Sequence, residues 1–595
     1  MALAKGIKIV GEEPYAGNLH VRFCEGQADS NHSHYDILTQ YKMEREGCRA
    51  LSTRLIHMKK NKLFISVSFF SLIALASCGN NGPSDPDAIN WEDEVLGDAI
   101  VDSTSDNYRT FYEIFTSSFS DSNGDGIGDL KGITNRLDYL NDGNVNSGKS
   151  LGVQGIWLTP IFQSPSYHKY DVTDYYKIDS SFGKLEDLGN LLEECHERNV
   201  KLILDLVLNH TSVNNTWFIE FKRAHTNNDE SSIYYDFYEW YTDTPVGHTS
   251  RVISGTQHYY ECNFSSEMPE LNYDNPKVYE EIVKVAKYWI DQGVDGYRFD
   301  AAKYIYYKDE KRNVEFWNKY AKDIKDYAKE KYNKDLYLIG EVWDTDSVIL
   351  PYNSSINTFN FSVAGGEGFI SNAVKSQDGN IYTKYTNNFL TKLYDINPNA
   401  IYAPFIANHD TDRAAGYLTV GTGTAYMAAN LYLLNPGSPF IYYGEEIGMK
   451  GSRGGAMTDA NRRLAMLWGD EDTIKDPKGT TYSSESQTNG TVASQINSKS
   501  SLLTRYRKLI QIRTKYDWVR KGRYEGIQNN QSLGIYKVTL DNKVHYIIHN
   551  LSLEDIEYDL STLNATTLLE SIGLNPSSIE GNTLKIGAYS SILVE

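Results

Sequence analysis

Eight short apolar runs alternate with amphipathic stretches between residues 109 and 448, and this alternation constrains the fold more than any other feature of the chain. The runs are Arg109–Phe119, Val153–Phe162, Val200–His210, Asp295–Ala301, Leu336–Trp343, Asn357–Val363, Ile401–Asp410 and Pro439–Gly448. Around them apolar residues recur with helical period. Examples are Leu185, Leu188, Leu192 and Cys195; Val278, Ile282, Val285 and Trp289; and Leu502, Leu503, Tyr506, Leu509 and Ile510. Strands separated by helix-length connections pair in parallel. Eight such units predict an α/β chain folded as a (β/α)8 TIM barrel.

Two intervals exceed a simple connection. Residues 211–274, after the third strand, are rich in Tyr, Trp and Asn, lack a helical period and read as a small inserted domain. Residues 450–498, after the eighth strand, are rich in Gly, Ser and Thr and read as loop. Past residue 520 the period becomes two, as in Ser532–Leu540 and Val544–Asn550, which predicts a C-terminal antiparallel β-sandwich domain. The expected divisions are 108–210 and 275–519 for the barrel, 211–274 for the insertion and 520–595 for the β-domain.

The first hundred residues do not fit this pattern. Five cysteines scattered through the chain show neither a disulfide framework nor zinc spacing. Cys78 has a particular setting: Lys59, Lys60 and Lys62 precede the apolar stretch from Leu63 to Leu75, and Leu75-Ala76-Ser77-Cys78 follows. That order is a secretory signal, too short to span a bilayer, and the tetrapeptide resembles the bacterial lipobox. Met58 is therefore read as the start, 1–57 as a spurious upstream extension and 58–77 as a lipoprotein signal peptide. Cys78 becomes the lipidation site. N-terminal sequencing that found residues before Met58 would overturn this. Residues 79–107 carry eight acidic side chains and no basic one, so 78–107 is expected to be an acidic disordered tether. The implied location is the bacterial cell envelope, extracellular or periplasmic, with membrane contact by the lipid anchor only. The chain is expected to be a monomer, and a net charge of -20 argues against a nucleic-acid partner.

Carboxylates stand at the ends of four predicted strands: Asp205, Asp300, Glu341 and Asp410. In a barrel they converge at the C-terminal face, where active sites form. Converging carboxylates either bind a divalent metal or cleave a glycosidic bond. Arg298, two residues before Asp300, shares its face of the strand and would keep that carboxylate ionised.

These residues resemble glycoside hydrolase family 13, the α-amylase family, over nearly all of Arg109–Glu595. Asp205-Leu-Val-Leu-Asn-His210, Gly296-Tyr-Arg-Phe-Asp-Ala-Ala-Lys-Tyr304, Gly340-Glu-Val-Trp343 and Phe405-Ile-Ala-Asn-His-Asp410 are similar to its four main motifs, in order. Gly155–Phe162 and Tyr442–Gly448 match flanking motifs. The resemblance implies a retaining glycosidase with Asp300 as nucleophile, Glu341 as acid/base and Asp410 as stabiliser of an oxocarbenium-like sugar. His210 and His409 would hold hydroxyls of the reacting ring, Tyr170 would stack on it with His168 alongside, and Arg298 and Asp205 would complete the substrate site. There are departures. Lys303-Tyr304 stands where α-amylases usually have Lys-His, Lys169 where the family commonly has Gly, and Glu270 where a fifth motif usually has Asp. Lys303 and Tyr304 are assigned to substrate binding, near the subsites that set chain-length preference. The Tyr-rich stretch Tyr234–Tyr241 lies in the insertion beside the expected cleft, and two readings stand for it: contact with sugar, or a bias of composition alone.

Asp121-Ser-Asn-Gly-Asp-Gly-Ile-Gly-Asp129 has EF-hand spacing. Asp121, Asn123, Asp125 and Asp129 offer side-chain oxygens and Ile127 a carbonyl, made for Ca²⁺. Position 12 is Gly132 rather than the bidentate Glu, so this is no true EF-hand. Similar loops in the resembled family bind calcium structurally. Asn209 is left open as a ligand of a second calcium. The expected activity is endo-acting α-1,4 cleavage of starch or malto-oligosaccharides. An exo-acting α-glucosidase or neopullulanase-like enzyme is the rival within the class, and a non-catalytic glucan-binding surface lipoprotein the rival outside it.

Overall fold

Strand pairing in the barrel follows the chain. The parallel ladder runs Asn357–Thr358, Tyr337–Gly340, Gly296–Asp300, Lys201–Val207, Gly155–Leu158, Phe111–Ile114, Phe440–Tyr442, so the first barrel strand also pairs with the last. The seventh strand, expected over Ile401–Asp410, forms one parallel bridge, Phe359 with Ala403. Backbone hydrogen bonds still close the ring on both sides of it. Asn360 N donates to Ala403 O (3.1 Å), Ser438 N to Tyr402 O (2.8 Å) and Phe440 N to Pro404 O (3.0 Å). Pro404 has no N–H to continue the ladder, which keeps this strand short. The other strands are also shorter than their apolar runs. The first ends at Ile114 and turns through a short 3-10 segment at Thr116–Ser118.

This computed structural model describes residues 100, 102, 104–454 and 458–595. The extension 1–57, the signal 58–77, Cys78 and most of the tether lie outside them. The tether's expected end at residue 107 needs correction. Thr104 is buried, its carbonyl accepting from Arg109 Nη2 (3.1 Å) and its hydroxyl from Arg520 Nη1 (2.8 Å). Ile100 exchanges two hydrogen bonds with Asn146. Buried arginines at the barrel's N-terminal end recruit the end of this segment into the folded domain.

Period-two alternation gives the barrel interior two levels. Lower on each strand Phe111, Trp157, Ile203, Ile339 and Phe440 pack inward, with Phe111 stacked on Phe440 (4.8 Å between centroids). A Cβ on Gly155 would lie 2.4 Å from the Phe111 ring, so only glycine fits there. Two residues further on, the same faces carry Glu113, Asp205 and Glu341, while the fourth strand carries Arg298 and Asp300.

The insertion, expected to lack helix, contains one at Thr216–Thr226, capped by the Asn215 side chain on Trp217 N. Its buried face is Phe218, Phe221, Ala224 and His225, a 3-4 spacing of aromatic rather than aliphatic residues. A three-stranded sheet, Trp240–Tyr241, Tyr259–Glu261 and Ser250–Val252, completes the insertion. The Tyr-rich stretch builds this core. Tyr238 meets Phe218 at 5.0 Å and Tyr235 stacks on His225 at 4.2 Å. At the C-terminus a five-stranded antiparallel sheet faces a three-stranded one across Leu533, Ile535, Ile548, Leu584, Ile586 and Ile592. Among the described residues no helix is long and apolar enough to cross a membrane.

Candidate active site

One guanidinium organises the C-terminal face. Arg298 Nη1 donates to Asp300 Oδ1 and to Asp205 Oδ1, each at 2.8 Å, and Nη2 lies 2.8 Å from Glu341 Oε2. All four side chains are buried. The planar fork spans several carboxylates at once, which an ammonium on a flexible stem does not do. A second bond steadies Glu341: Ala301 N donates to its Oε2 (3.0 Å). Ala301 has φ +48°, so the chain turns immediately after Asp300 and aims that amide back across the site. Burial pushes Asp205 up to about 7, with Arg298 opposing and Asp300 reinforcing the rise. One cation for three buried carboxylates leaves a surplus of negative charge, and a proton on one of them relieves it.

Asp410 is held from both sides. His409 Nε2 lies 2.9 Å from its Oδ2, and Arg463 Nη2 donates to its Oδ1 (2.7 Å). Burial alone would raise its pKa, but His409 and Arg463 hold it far below the usual carboxylate range. Glu113 Oε1 sits 2.6 Å from His409 Nδ1. Burial pulls the His409 imidazole down; Asp410 and Glu113 more than offset this and push it up to about 9. Protonated His409 then donates through Nδ1 to Glu113 and through Nε2 toward Asp410 and Tyr170 Oη.

Tyr170 stacks on His409 (5.5 Å, 9° between planes) and donates to Asp205 Oδ2 (3.1 Å). Lys169, just before it, has φ +68°, the left-handed region that glycine enters freely. Its Nζ is tied to Asp179 (2.9 Å) and to Ser164 O (3.2 Å). His168 Nδ1 accepts from Tyr170 N (3.1 Å). Burial holds that imidazole down to about 4, so it is neutral, with its proton on Nε2. Buried His210 has no protein partner for Nε2.

These groups surround a cavity of about 340 Å³ lined by His168, Tyr170, His210, Asp300 and Asp410, with Phe264 and Met268 contributed by the insertion. Of the expected substrate residues, Asp205, Arg298, Lys303, Tyr304 and His409 are not in that lining, and neither is Glu341. Lys303 Nζ is committed to Trp343 O and Asp344 (both 3.0 Å), and Tyr304 packs edge-on against Phe264 (5.0 Å). Two residues of the site were not singled out from sequence. Glu113 had one signal, a lone carboxylate inside an apolar strand. Arg463 had none, because it follows Asp410 by 53 residues in a region read as loop.

The Asp121–Asp129 loop closes on itself. Asp121 accepts from the amides of Asn123, Gly124 and Gly126 (3.0, 2.8 and 2.7 Å) and from Thr473 Oγ1 (2.7 Å). Asp129 accepts from Ser122 N and Gly132 N, and Asp125 from Ile127 N. Among the described residues no three His, Cys, Asp or Glu side chains converge as a metal site; here the carboxylates face the loop's own amides. The donor set is nonetheless hard oxygen throughout, the chemistry that fits calcium rather than a transition metal.

The sequence model of the family "Alpha amylase, catalytic domain" matches residues 113–522. "Alpha-amylase 3" of Dictyoglomus thermophilum is 36% identical over 490 residues, 82% of this chain and 92% of that protein. An oligo-1,6-glucosidase of Heyndrickxia coagulans is 30% identical, covering 77% of this chain and 94% of its own length. Among solved structures, Eubacterium rectale Amy13B superposes with a TM-score of 0.75 at 32% identity, over 83% of this chain and 96% of that one.

Proposed function

The chain belongs to the α-amylase family of glycoside hydrolases, and on that footing we propose that it cleaves α-1,4-glucosidic bonds within starch or maltodextrin chains, with retention at the anomeric carbon. It is an enzyme acting on α-glucosidic bonds. The observation that carries the finer reading is the Arg298 fork. It bonds the two expected reacting carboxylates through its two terminal nitrogens and so keeps them close, and retaining glycosidases use the closer of the two carboxylate spacings.

In the first step Glu341 gives its proton to the glycosidic oxygen as Asp300 attacks the anomeric carbon. The C–O bond to the leaving sugar breaks and an ester to Asp300 forms. In the second step Glu341 takes a proton from water, the water oxygen attacks the same carbon and the ester bond breaks. Positive charge develops on the ring in the transition state of each step. Asp410, kept ionised by His409 and Arg463, is placed to stabilise it. Neutral His168 and the unpartnered His210 Nε2 offer ring hydroxyls the hydrogen bonds that fix orientation. Proton NMR of the first product tests the mechanism: the α-anomer is expected, and the β-anomer would sink it. A product profile on starch, pullulan and maltotriose separates internal cleavage from the exo-acting alternative. A wild type that binds starch without releasing reducing ends would favour the non-catalytic reading.

The loop formed by Asp121, Asn123, Asp125, Ile127 and Asp129 is assigned a structural Ca²⁺, supported by its all-oxygen donors in that spacing. An ion bound only by the folded protein raises its melting temperature, so unchanged melting in excess chelator would remove the assignment. The order of basic, apolar and Leu-Ala-Ser-Cys segments supports a lipid anchor at Cys78 and a place on the outer side of a bacterial membrane. Metabolic labelling with a fatty acid, lost in Cys78→Ser, tests it. Monomeric behaviour is expected in sedimentation.

A further inference from the structure

A second cavity of about 530 Å³ adjoins the catalytic one, lined by residues including Asp412, Tyr417, Lys450, Tyr482, Gln487 and Thr488. The same segments border both. Asp410 lines the first and Asp412 the second; Lys478 and Gly479 line the first, Tyr482 and Gln487 the second. We propose that this second cavity is a non-catalytic binding site for a malto-oligosaccharide stretch of the α-glucan substrate. The proposal rests on the α-glucan reading above and adds a second site to it.

The cavity is framed rather than a gap between mobile loops. The Gln487 side chain accepts from Lys450 N (2.6 Å) and donates to Lys450 O (2.8 Å). Tyr482 Oη accepts from Ser452 N and donates to Ser452 O (3.1 Å). Arg413 N donates to Gly451 O (2.8 Å), and Arg462 ties Asp412 (2.8 Å) to the Asp410 carbonyl (2.7 Å). Two tyrosine rings remain as apolar faces. Tyr482 is 36% exposed, and Tyr417 is half-buried with its hydroxyl on Ile406 O. Around them stand one acid, Asp412, two bases, Lys450 and Arg413, and the neutral side chains of Ser452, Ser486, Gln487 and Thr488; Arg413 donates to Arg462 O and Tyr443 O (2.8 and 2.6 Å).

That lining selects a ligand class. Arg413 is committed to backbone carbonyls and Asp412 to Arg462, which leaves Lys450 as a lone charge and builds neither a clustered anion site nor a cation site. Aromatic faces among hydroxyl, amide and single charged groups suit a neutral ligand with flat C–H faces and many hydroxyls, which is a sugar. The volume is that of a small-ligand site, and the polymer whose bond is cut next door is the sugar at hand. Engaging one chain at two neighbouring places raises its effective concentration at the catalytic cavity without new chemistry.

The test uses the full chain and its Glu341→Gln form, with binding to insoluble starch and to maltoheptaose as readouts and maltotriose turnover as control. Tyr482→Ala removes a ring; Thr488→Arg fills the cavity and leaves both backbone ties intact. Each is expected to weaken starch binding about 5- to 10-fold while kcat/KM on maltotriose stays unchanged. Tyr482→Phe, which keeps the ring, is expected to bind as the parent does. Starch binding unchanged in both Tyr482→Ala and Thr488→Arg would overturn the second site and leave the enzyme's function standing. A wild type that neither binds nor cleaves α-glucan would overturn the functional reading itself.

Discussion

The lower and upper halves of the barrel interior are built from the same strands and obey opposite rules. Below, Phe111, Trp157, Ile203, Ile339 and Phe440 fill the space with rings and branched chains that need only shape. Above, two residues further along, Glu113, Asp205 and Glu341, with Arg298 and Asp300 of the fourth strand, are buried and ionisable. Apolar packing stabilises by area removed from water. Buried charges cost desolvation and remain only where partners offset it. The difference locates stability in the lower layer and chemistry in the upper one, and substitutions in each layer should separate the two.

The largest effect belongs to the upper layer. Glu341→Gln removes the transferable proton while keeping the Ala301 amide bond to an oxygen. Turnover on starch is expected to fall by at least about a thousandfold, with the melting temperature unchanged, because the amide keeps the carboxyl's shape and Arg298 keeps its bonds to Asp205 and Asp300. Phe111→Ala is the mirror experiment. Its ring is fully buried against Phe440 and Gly155, so unfolding free energy is expected to drop by about 3–5 kcal/mol. Turnover per folded molecule should stay within a fewfold of the parent. A Glu341→Gln protein that melts early, or a Phe111→Ala protein that is stable but inactive, would break the division between layers.

Why one layer was legible in the sequence and the other only partly follows from the same contrast. Asp300, Glu341 and Asp410 stand at or near the end of an apolar run, so pattern and chemistry coincide at one residue; Asp205 closes Lys-Leu-Ile-Leu-Asp, but its strand continues to Val207. Glu113 lies inside its run and reads as a blemish in a strand. Arg463 reaches Asp410 from a segment without period, and only folding brings the two together. The inserted helix was missed because Phe218, Phe221 and His225 do not look aliphatic, and the tyrosines beside it went to its core rather than to sugar. The seventh strand was overextended because apolarity continues past Pro404, where the ladder stops. Hydrophobic period reports burial; it does not report which polar groups will meet.

Glu113 offers a smaller, pH-dependent test of the upper layer. In the folded protein His409 is pushed up from 6.5 to about 9. The stability this contributes is fully present below pH 6.5 and is lost as pH rises through about 9. Glu113→Gln removes one of the two carboxylates that raise it. The loss should then be complete at lower pH, and the alkaline limb of the kcat/KM profile should move the same way. A roughly ten- to hundredfold drop in kcat is expected as His409 and Tyr170 lose their alignment. If the alkaline limb stays in place, His409 does not owe its charge to Glu113.

The smallest effect tests where the upper layer stores strain. Lys169 holds φ +68°, a conformation costing a side chain about 1–2 kcal/mol that glycine avoids. Its ion pair with Asp179 offsets part of that cost; the two side chains are only 11% and 9% exposed. Lys169→Ala keeps the strain and loses the pair, so it should destabilise by about 1–2 kcal/mol. Lys169→Gly loses both, so its stability should lie within about 1 kcal/mol of the parent. Tyr170 follows directly, and its stacking on His409 depends on this turn. Lys169→Ala should therefore raise KM more than it lowers kcat, and Lys169→Gly should recover most of the difference. Equal stability of the two variants would mean that the turn is unstrained and that Lys169 serves the loop through its charge alone.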